Sequence, residues 1–389
     1  MNFKNYIPTK LLFGRGALNK LHLEQLPGKK ALIVTTSGRS VIDNGYLARL
    51  QKELDQANCQ YVVYNQITNN PTLNEVMNGA KVAKENGCDF VLGLGGGSPI
   101  DASKSIAIMA TNDGNYWDYM TRGTGKRKPV AIKPLPIVAV TTTAGTGTEI
   151  DPWTVISNEE TKEKFGYGIE WTFPVLAIVD PELMLSVPEK YTIYQGFDAL
   201  FHSLEGYLAK ISTPISDLYA LKAIELIGKY LPQAVKNGND IEARENMALA
   251  NTLSGMVEST SGCISEHAIE HVLSGEYKNL PHGAGLIMVS IAYFSKIAEK
   301  GCSDSRLVDM AKALGYKNAS TSKDFIEALS NLQKQCNIDN LKMSDFGVDK
   351  NRLKEFAKLA KEQSPGSFAL DPCDLTIEDV ENIFISSYK

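Results

Sequence analysis

Four of the five histidines and one aspartate are spaced as ligands of a metal ion would be. Asp198 and His202 stand four residues apart in a stretch of helical periodicity, which puts both side chains on one helix face. His267 and His271 repeat that spacing, and His282 follows in a Pro-His-Gly turn. A single such pair usually lies on a solvated face, so the prediction depends on the concentration of histidines. One carboxylate with several imidazoles forms a borderline site that suits Fe²⁺ or Zn²⁺.

Two loops of small residues each follow an apolar, strand-like run. The first covers residues 93–99 (GLGGGSP) and the second covers residues 141–148 (TTTAGTGT). Glycines let a backbone approach a phosphate, and the helix that follows offers free N–H groups and a positive dipole end. The G-x-G-x-x-G fingerprint is not met, because Ser98 stands at its sixth position. The loops predict a dinucleotide site, with a purely structural turn as the alternative.

A third loop, residues 37–40, ends the first strand-like run after the amino terminus. It contains Gly38, Arg39 and Ser40, and no carboxylate follows until Asp43. An acidic residue at this position usually binds a ribose 2′-OH, whereas a 2′-phosphate prefers Arg, Ser and backbone N–H groups. The loop therefore predicts NADP(H) in preference to NAD(H), and the alternative interpretation is a solvated, charged turn.

The elements that must position these residues change in character along the chain. In the first half, strand-like runs at 31–36, 60–64, 89–94, 136–140 and 175–179 alternate with helical periodicity at 44–58, 73–86 and 99–110. This pattern predicts a doubly wound, mainly parallel, Rossmann-like sheet. The second half has long helical periodicities and almost no strand-like runs, at 211–231, 241–257, 303–314, 322–336 and 351–361.

A chain of 389 residues is too long for one ordinary core. We therefore predict an α/β dinucleotide-binding domain over residues 1–185 and an all-α metal-binding domain over residues 186–389. The boundary follows the change from alternating to purely helical patterning.

Composition excludes several classes of protein. A net charge of −5 argues against a nucleic-acid-binding protein, which usually carries a dense basic stripe. No segment has the ~18–20 apolar residues of a membrane span, and the amino terminus lacks the apolar run of a signal peptide. These features predict a cytoplasmic protein. The six cysteines are far apart and are predicted to be reduced thiols, mostly in the core.

Several ordered motifs together resemble the iron-containing (group III) alcohol dehydrogenase family over essentially the whole chain. Residues 269–286 look most like its butanol dehydrogenase branch. The matching motifs are FGRG at 13–16, NPT at 70–72, GGGSPID at 95–101, TTAGTGTE at 142–149, IVDPEL at 178–183, DALFHSLE at 198–205, HAIEH at 267–271 and PHG at 281–283.

The resemblance implies which residues do what. Asp198, His202, His267 and His282 would bind the metal, and His271 would lie beside the substrate and the nicotinamide as a proton-relay residue. It also implies the two-domain architecture of the dehydroquinate synthase-like proteins, with the active site in the cleft. The residues that we expect to contact the cofactor are Gly38, Ser40, Asn70, Gly96, Gly97, Ser98, Asp101, Thr142, Thr143 and Lys164. Asp151-Pro152-Trp153 departs from the pattern of many members.

The expected activity is reversible oxidation of a primary alcohol to an aldehyde, in which the metal polarises the substrate oxygen and NAD(P)(H) exchanges a hydride. We expect Fe²⁺, with Zn²⁺ possible from the same ligands, a small-molecule substrate and a homodimer. A glycerol or polyol dehydrogenase on the same scaffold is the nearest alternative. A metal-dependent hydrolase with Glu266 or Glu270 as its base is more remote, because it leaves both small-residue loops without a ligand.

Overall fold

The computed structural model describes residues 2–389. The chain divides into two compact units, Tyr6–Ser186 and Val187–Lys389, and the described residues before Tyr6 cluster with the second unit. The two units therefore separate one residue beyond the predicted boundary.

The first unit contains a six-stranded parallel sheet and an antiparallel hairpin. The strands in chain order are β1 (Lys10–Phe13), β2 (Lys30–Thr36), β3 (Gln60–Ile67), β4 (Phe90–Gly95), β5 (Ile137–Thr141), β6 (Thr154–Asn158), β7 (Glu163–Tyr167) and β8 (Leu176–Val179). The sheet has the order β1-β8-β5-β4-β2-β3, and β6 and β7 form the hairpin. Because β2, β4 and β5 are parallel neighbours, their carboxyl ends lie at one edge of the sheet.

Helices cover both faces of this sheet, which is why its strands are apolar on both sides. Leu32 of β2 belongs to one buried cluster and Ile33, the next residue, to the other. The helices of this unit are α1 (Ser40–Asp43), α2 (Tyr46–Gln56), α3 (Leu73–Glu85) and α4 (Gly97–Thr111), with 3₁₀ helices at Ala17–Leu23, Tyr116–Tyr119, Glu170–Thr172 and Pro181–Met184. The predicted doubly wound fold is confirmed.

The second unit is helical throughout, as predicted. Its helices are α5 (Glu189–Leu208), α6 (Pro214–Lys236), α7 (Ile241–Ser261), α8 (Ser265–Glu276), α9 (His282–Lys300), α10 (Asp304–Ala313), α11 (Ser322–Gln335), α12 (Leu353–Gln363), α13 (Pro365–Leu370) and α14 (Ile377–Ser387), with 3₁₀ helices at Met343–Phe346 and Lys350–Arg352. None of the helices in residues 2–389 is long and apolar enough to cross a membrane.

The cysteine prediction is wrong for two residues. Cys302, which follows α9, and Cys373, which precedes α14, form a disulfide across 71 residues of sequence, with their Cα atoms 5.7 Å apart. Because α9 packs against α14, the two segments meet although no sequence spacing indicates it. The other four cysteines, Cys59, Cys88, Cys263 and Cys336, are free thiols.

Candidate metal centre and cofactor loops

Three helices of the second unit carry the predicted metal ligands. Asp198 and His202 lie on α5, His267 on α8, and His282 is the first residue of α9. The start of α9 lies directly against the α5 backbone, because a Cβ on Gly283 would lie 2.3 Å from the carbonyl oxygen of Tyr194. The Pro-His-Gly sequence thus lets His282 approach the ligands on α5.

The four side chains converge on one oxygen atom. The Nε2 atoms of His202, His267 and His282 lie 3.7, 3.6 and 3.6 Å from Asp198 Oδ1. In a tetrahedral shell with bonds of about 2.0–2.2 Å, neighbouring ligand atoms are about 3.3–3.6 Å apart. Asp198 Oδ1 and His267 Nε2 are buried and have no hydrogen-bond partner. Buried polar atoms are rarely left without a partner, so these residues fit a bound cation.

The charge states of Asp198 and His202 also suit a cation. Burial lowers the pKa of His202 to about 4, so its imidazole is neutral near pH 7 and has a lone pair to donate. Burial opposes the ionisation of Asp198, but the three neighbouring imidazoles outweigh it and hold the pKa of that carboxyl below its usual range. Asp198 is thus anionic and His202 neutral, the forms in which a carboxylate and an imidazole bind a metal ion.

Two buried glutamates orient the imidazoles from behind. Glu205 binds Nδ1 of His267, and Glu270 binds Nδ1 of His282. Both glutamates are fully buried, and Glu205 also accepts a 2.8 Å hydrogen bond from the backbone N–H of Ile264. An imidazole held through Nδ1–H presents Nε2 to the metal. Glu270, nominated above as a hydrolytic base, is engaged by His282 instead.

The sequence analysis gave Glu205 no role, although its spacing from Asp198 indicates that it lies on the same helix face. It lies seven residues after Asp198, two helical turns along the same face of α5. The D-x-x-x-H-x-x-E spacing therefore predicts that this carboxylate follows the ligand face into the core.

His271 lies next to the predicted metal ligands but outside the set around Asp198. Its ring centroid is 5.1 Å from that of His282 and 6.1 Å from that of His267. Its side chain is partly exposed. His271 also lies with Glu270 and His282 in a group of side chains close enough to share an ion, so its role as a proton-relay residue stays a prediction.

The first small-residue loop leads directly into α4. Gly96 precedes the helix and Gly97 begins it, so the helix starts two residues before the predicted Pro99. Ser98, which we expect to contact the cofactor, donates its hydroxyl to the carbonyl oxygen of Asn69 at 2.5 Å. The loop therefore presents the free N–H groups of the first turn of α4 beside residues 69–70.

The second small-residue loop packs on the first. The backbone N–H of Thr142 donates to the Gly95 carbonyl at 2.9 Å. A Cβ on Gly96 would lie 3.0 Å from Thr143, and a Cβ on Gly97 would lie 2.7 Å from Thr146. Packing between the two loops alone therefore requires glycine at both positions, whether or not a ligand binds there.

The hairpin brings the remaining predicted cofactor residues to the same place. Lys164, on β7, donates to the side-chain oxygen of Asn70 at 3.4 Å. Asp101 accepts hydrogen bonds from the Thr148 hydroxyl at 2.7 Å and from the Val155 N–H at 2.9 Å. The Asp101 carboxylate thus ties α4 to the second loop and to the hairpin.

A buried lysine that sequence reasoning missed completes this network. Lys104 is fully buried, and its amine donates to the Thr148 hydroxyl at 2.6 Å and to Asp151 at 2.9 Å. A third hydrogen bond of 2.6 Å goes to the carbonyl oxygen of Trp153. The unusual Asp151-Pro152-Trp153 sequence therefore supplies the counter-ion and an acceptor for a buried cation.

The third loop lies at the end of β2 and is exposed. The Arg39 guanidinium pairs with Asp43 at 3.1 Å, and the two side chains are 78% and 56% exposed. Gly38 has room for a side chain, since an added Cβ would find only the Thr36 hydroxyl, at 3.7 Å. Gly38 and Ser40 are likewise exposed. Arg39 is thus in a solvated ion pair, and no acidic side chain within residues 37–40 would repel an anion.

Two family models match the chain, one for each unit. A model described as iron-containing alcohol dehydrogenase matches residues 8–181. A model described as the C-terminal part of the Fe-containing alcohol dehydrogenase family matches residues 192–388.

Characterised proteins and solved structures give the same picture. The chain is 35% identical to the NAD-dependent methanol dehydrogenase of Bacillus methanolicus, over 97% of this chain and 98% of that protein. It is also 35% identical to alcohol dehydrogenase 4 of Saccharomyces cerevisiae, over 99% and 98% of the two chains. The structure of an archaeal halo-thermophilic alcohol dehydrogenase from a Red Sea brine pool has a TM-score of 0.93 at 35% identity, covering 100% and 99%.

Proposed function

We propose, from the premise that this chain belongs to the iron-containing alcohol dehydrogenase family, that Asp198, His202, His267 and His282 bind its catalytic metal. The protein is a metal-dependent alcohol dehydrogenase, and its substrates are small alcohols and aldehydes. The observation that supports this ligand set is the convergence of three imidazole nitrogens, at 3.6–3.7 Å, on a buried carboxylate oxygen that has no hydrogen-bond partner.

When bound, a divalent ion there supplies Lewis-acid polarisation of the substrate oxygen, and NAD(P)(H) exchanges the hydride. Asp198 and the three imidazoles hold the ion, and Glu205 and Glu270 hold two of those imidazoles in orientation. His271, partly exposed and adjacent to His282, exchanges the substrate proton with water. We propose Fe²⁺ as the resident ion, although the same ligands also accept Zn²⁺.

For the cofactor, we propose that the pyrophosphate lies at the N-terminus of α4, against Gly96, Gly97 and Ser98. The free N–H groups and the positive dipole end of this helix support this placement. Asn70, Asp101, Thr142, Thr143 and Lys164 surround that turn or tie its loops together. We propose NADP(H) as the preferred dinucleotide because the exposed loop at residues 37–40 has no carboxylate, and the next one, Asp43, is paired with Arg39.

The ligand assignment is tested by His202→Ala and His282→Ala. Each variant should lose bound metal and turnover together, because one of four ligands is removed, while it still binds NADPH. His271→Ala should keep its metal and lose rate. Metal content by elemental analysis, NADPH binding by fluorescence and kcat with butanal separate these outcomes.

His22→Ala is the matched control for these histidine variants. His22 lies in the first unit and its Nδ1 bonds Glu53, 2.6 Å away, so its loss should change neither metal content nor kcat. Full metal content in His202→Ala would disprove the ligand set. Metal loss in His271→Ala would move that residue into it.

Substrate choice remains between simple primary alcohols and polyols. A primary alcohol is our proposal, and kcat/KM for methanol, butanol, 1,3-propanediol and glycerol with the metal-loaded enzyme tests it. A preference for glycerol would favour the polyol alternative. The predicted homodimer and cytoplasmic residence remain predictions, which light scattering and cell fractionation can check.

A further inference from the structure

We propose that Cys263 forms, with His202 and His267, a second coordination position at the metal centre, one that selects thiophilic divalent ions such as Zn²⁺ or Cd²⁺. This inference extends the proposed ligand set, since it uses two of the same imidazoles. It adds a thiolate, which belongs to neither the predicted set nor the proposed mechanism.

The three donors lie close enough to share one ion. One ligand atom each from His202, Cys263 and His267 lie within 4.8 Å of one another. The Cys263 thiol is free and partly exposed, whereas Cys302 and Cys373 are consumed by their disulfide. Two nitrogens and one sulfur are ligands that zinc-binding proteins use repeatedly.

Unpartnered imidazole nitrogens give a second, independent indication. Each of the two imidazole residues is 5% exposed, and His202 Nδ1 and His267 Nε2 make no hydrogen bond. Because Glu205 occupies His267 Nδ1, only Nε2 of that ring can bind a metal. A nitrogen has one lone pair, so His267 serves either the Asp198 position or the Cys263 position, but not both at once.

The surrounding charge favours a cation on the Cys263 side as well. Glu258 Oε2 lies 3.9 Å from His202 Nε2, on the helix that precedes Cys263. Binding there forms a metal–sulfur bond and breaks the S–H bond, and the released proton passes to solvent through the exposed part of Cys263. No electron is transferred.

The two positions therefore sort ions by softness. An ion that prefers oxygen and nitrogen remains with Asp198 and the three imidazoles around it, whereas a thiophilic ion gains a sulfur ligand by shifting toward Cys263. The shift draws His267 away from Asp198. Thiophilic ions should consequently bind tightly at this centre while displacing the ion that the Asp198 position holds.

The test uses the full-length protein, stripped of metal and titrated with Co²⁺ and, separately, with Zn²⁺ and Fe²⁺ under anaerobic conditions. Wild-type protein with Co²⁺ should show a thiolate-to-cobalt charge-transfer band in the near ultraviolet, and Cys263→Ser should lack it. Cys263→Ser should also weaken Zn²⁺ binding by about tenfold or more, as loss of a supporting group does at other metal sites, and leave Fe²⁺ binding within about twofold. Cys59→Ser, a buried free thiol in the first unit, is the matched control and should retain both properties.

The outcomes separate this inference from the proposed function. Co²⁺ that binds with the same spectrum in wild type and Cys263→Ser would overturn the thiolate position and leave the Asp198 ligand set intact. Failure of the wild-type protein to bind any of the three ions would instead refute the ligand set on which the inference rests. A charge-transfer band that survives in Cys263→Ser but disappears in Cys59→Ser would assign the sulfur elsewhere and also overturn it.

Discussion

Glu270 holds His282 from behind, and replacing it should weaken metal binding without removing a ligand. In Glu270→Leu the Nδ1–H of His282 loses its buried acceptor, so the ring is no longer fixed with Nε2 toward the metal. We expect metal affinity to fall roughly 10–100-fold. Glu270→Gln retains an acceptor oxygen and should lose less. Competition with a chromogenic chelator measures both affinities.

Glu266 provides the matched control on the same helix. It precedes His267, is fully buried, and neither of its carboxylate oxygens has a hydrogen-bond partner. Glu266→Gln should therefore leave metal affinity within about threefold, because no ligand is held by it. If it weakened binding as much as Glu270→Leu, general disturbance of α8, not loss of an orienting bond, would be the cause.

Gly38→Asp should shift cofactor preference from NADP(H) toward NAD(H). The added carboxylate would repel a 2′-phosphate and could accept a hydrogen bond from a 2′-OH. The backbone tolerates the change, because a Cβ at this position meets nothing closer than 3.7 Å. The ratio of kcat/KM for the two cofactors should change by roughly ten- to a hundredfold, the value of one charge-assisted contact. A wild-type enzyme that prefers NADH would refute the loop argument.

At the scale of elements, Asp371 secures the start of the helix that carries His267. Its Oδ1 accepts from the N–H of Ser265, the first residue of α8, at 3.0 Å, and from the Tyr293 hydroxyl of α9 at 3.1 Å. Asp371 is fully buried, and burial raises the pKa of this carboxyl to about 7. The folded protein thus retains a proton that the unfolded chain releases near pH 4.

The sign of the resulting pH dependence follows from this difference. Asp371 stabilises the fold fully below about pH 4, and this contribution is lost as the pH rises toward 7, at up to about 1.4 kcal/mol per pH unit. Asp371→Asn mimics the neutral acid and should flatten the decline in stability over that interval. Urea midpoints at pH 5 and pH 8 test it, and equal slopes in both proteins would contradict the protonated carboxyl.

The sequence predicted the elements whose pattern is local and missed those that depend on distant partners. The five strands from β2 to β5 and β8 are long or fully apolar, so periodicity identified them. The short edge strand β1 (Lys10–Phe13) exists only because β8 pairs with it. The β6–β7 hairpin contains both polar and apolar residues. It is held in place by Asp101, Lys104 and residues 70–72, contacts that no local pattern indicates.

The candidate metal site was predictable for a similar reason. Asp198 and His202 are four residues apart on α5, and His267 and His271 are four residues apart on α8. A spacing of four residues within one helix fixes the relative positions of the two side chains, so the sequence alone indicates it. The same helical periodicity extends to Glu205, whereas the roles of Glu270 and Cys263 could not be assigned, because they depend on how α5, α7, α8 and α9 pack. The prediction of NADP(H) from the sequence depended partly on the charge of Arg39, but in the structure this guanidinium is paired with Asp43.

At the scale of the whole molecule, the disulfide should stabilise one unit alone. Cys302→Ser removes a crosslink that closes a loop of 71 residues within the second unit. The higher chain entropy of the uncrosslinked unfolded state should lower the free energy of unfolding by up to about 4 kcal/mol. All three tryptophans, Trp117, Trp153 and Trp171, belong to the first unit. Tryptophan fluorescence therefore follows the first unit, and far-ultraviolet circular dichroism follows mainly the helical second unit.

We expect Cys302→Ser to lower the urea midpoint by circular dichroism and to leave the fluorescence midpoint unchanged. Adding a reductant to the variant should have no further effect, which controls for the other thiols. A parallel shift of both midpoints would mean that the units unfold together. An unchanged dichroism midpoint would mean that the crosslink adds no stability.

The parallel pairing of β1 with β8 has a consequence for the order in which a ribosome releases this molecule. The edge strand at Lys10–Phe13 is synthesised before every other strand of the sheet, yet its partner, Leu176–Val179, is the last strand of that sheet to be synthesised. The sheet can therefore close only when nearly all of that unit has left the exit tunnel. Asp198 emerges next, His282 more than eighty residues later, and Asp371 later still. We therefore expect a nascent chain to form the proposed cofactor loops before the last of the proposed metal ligands has been synthesised.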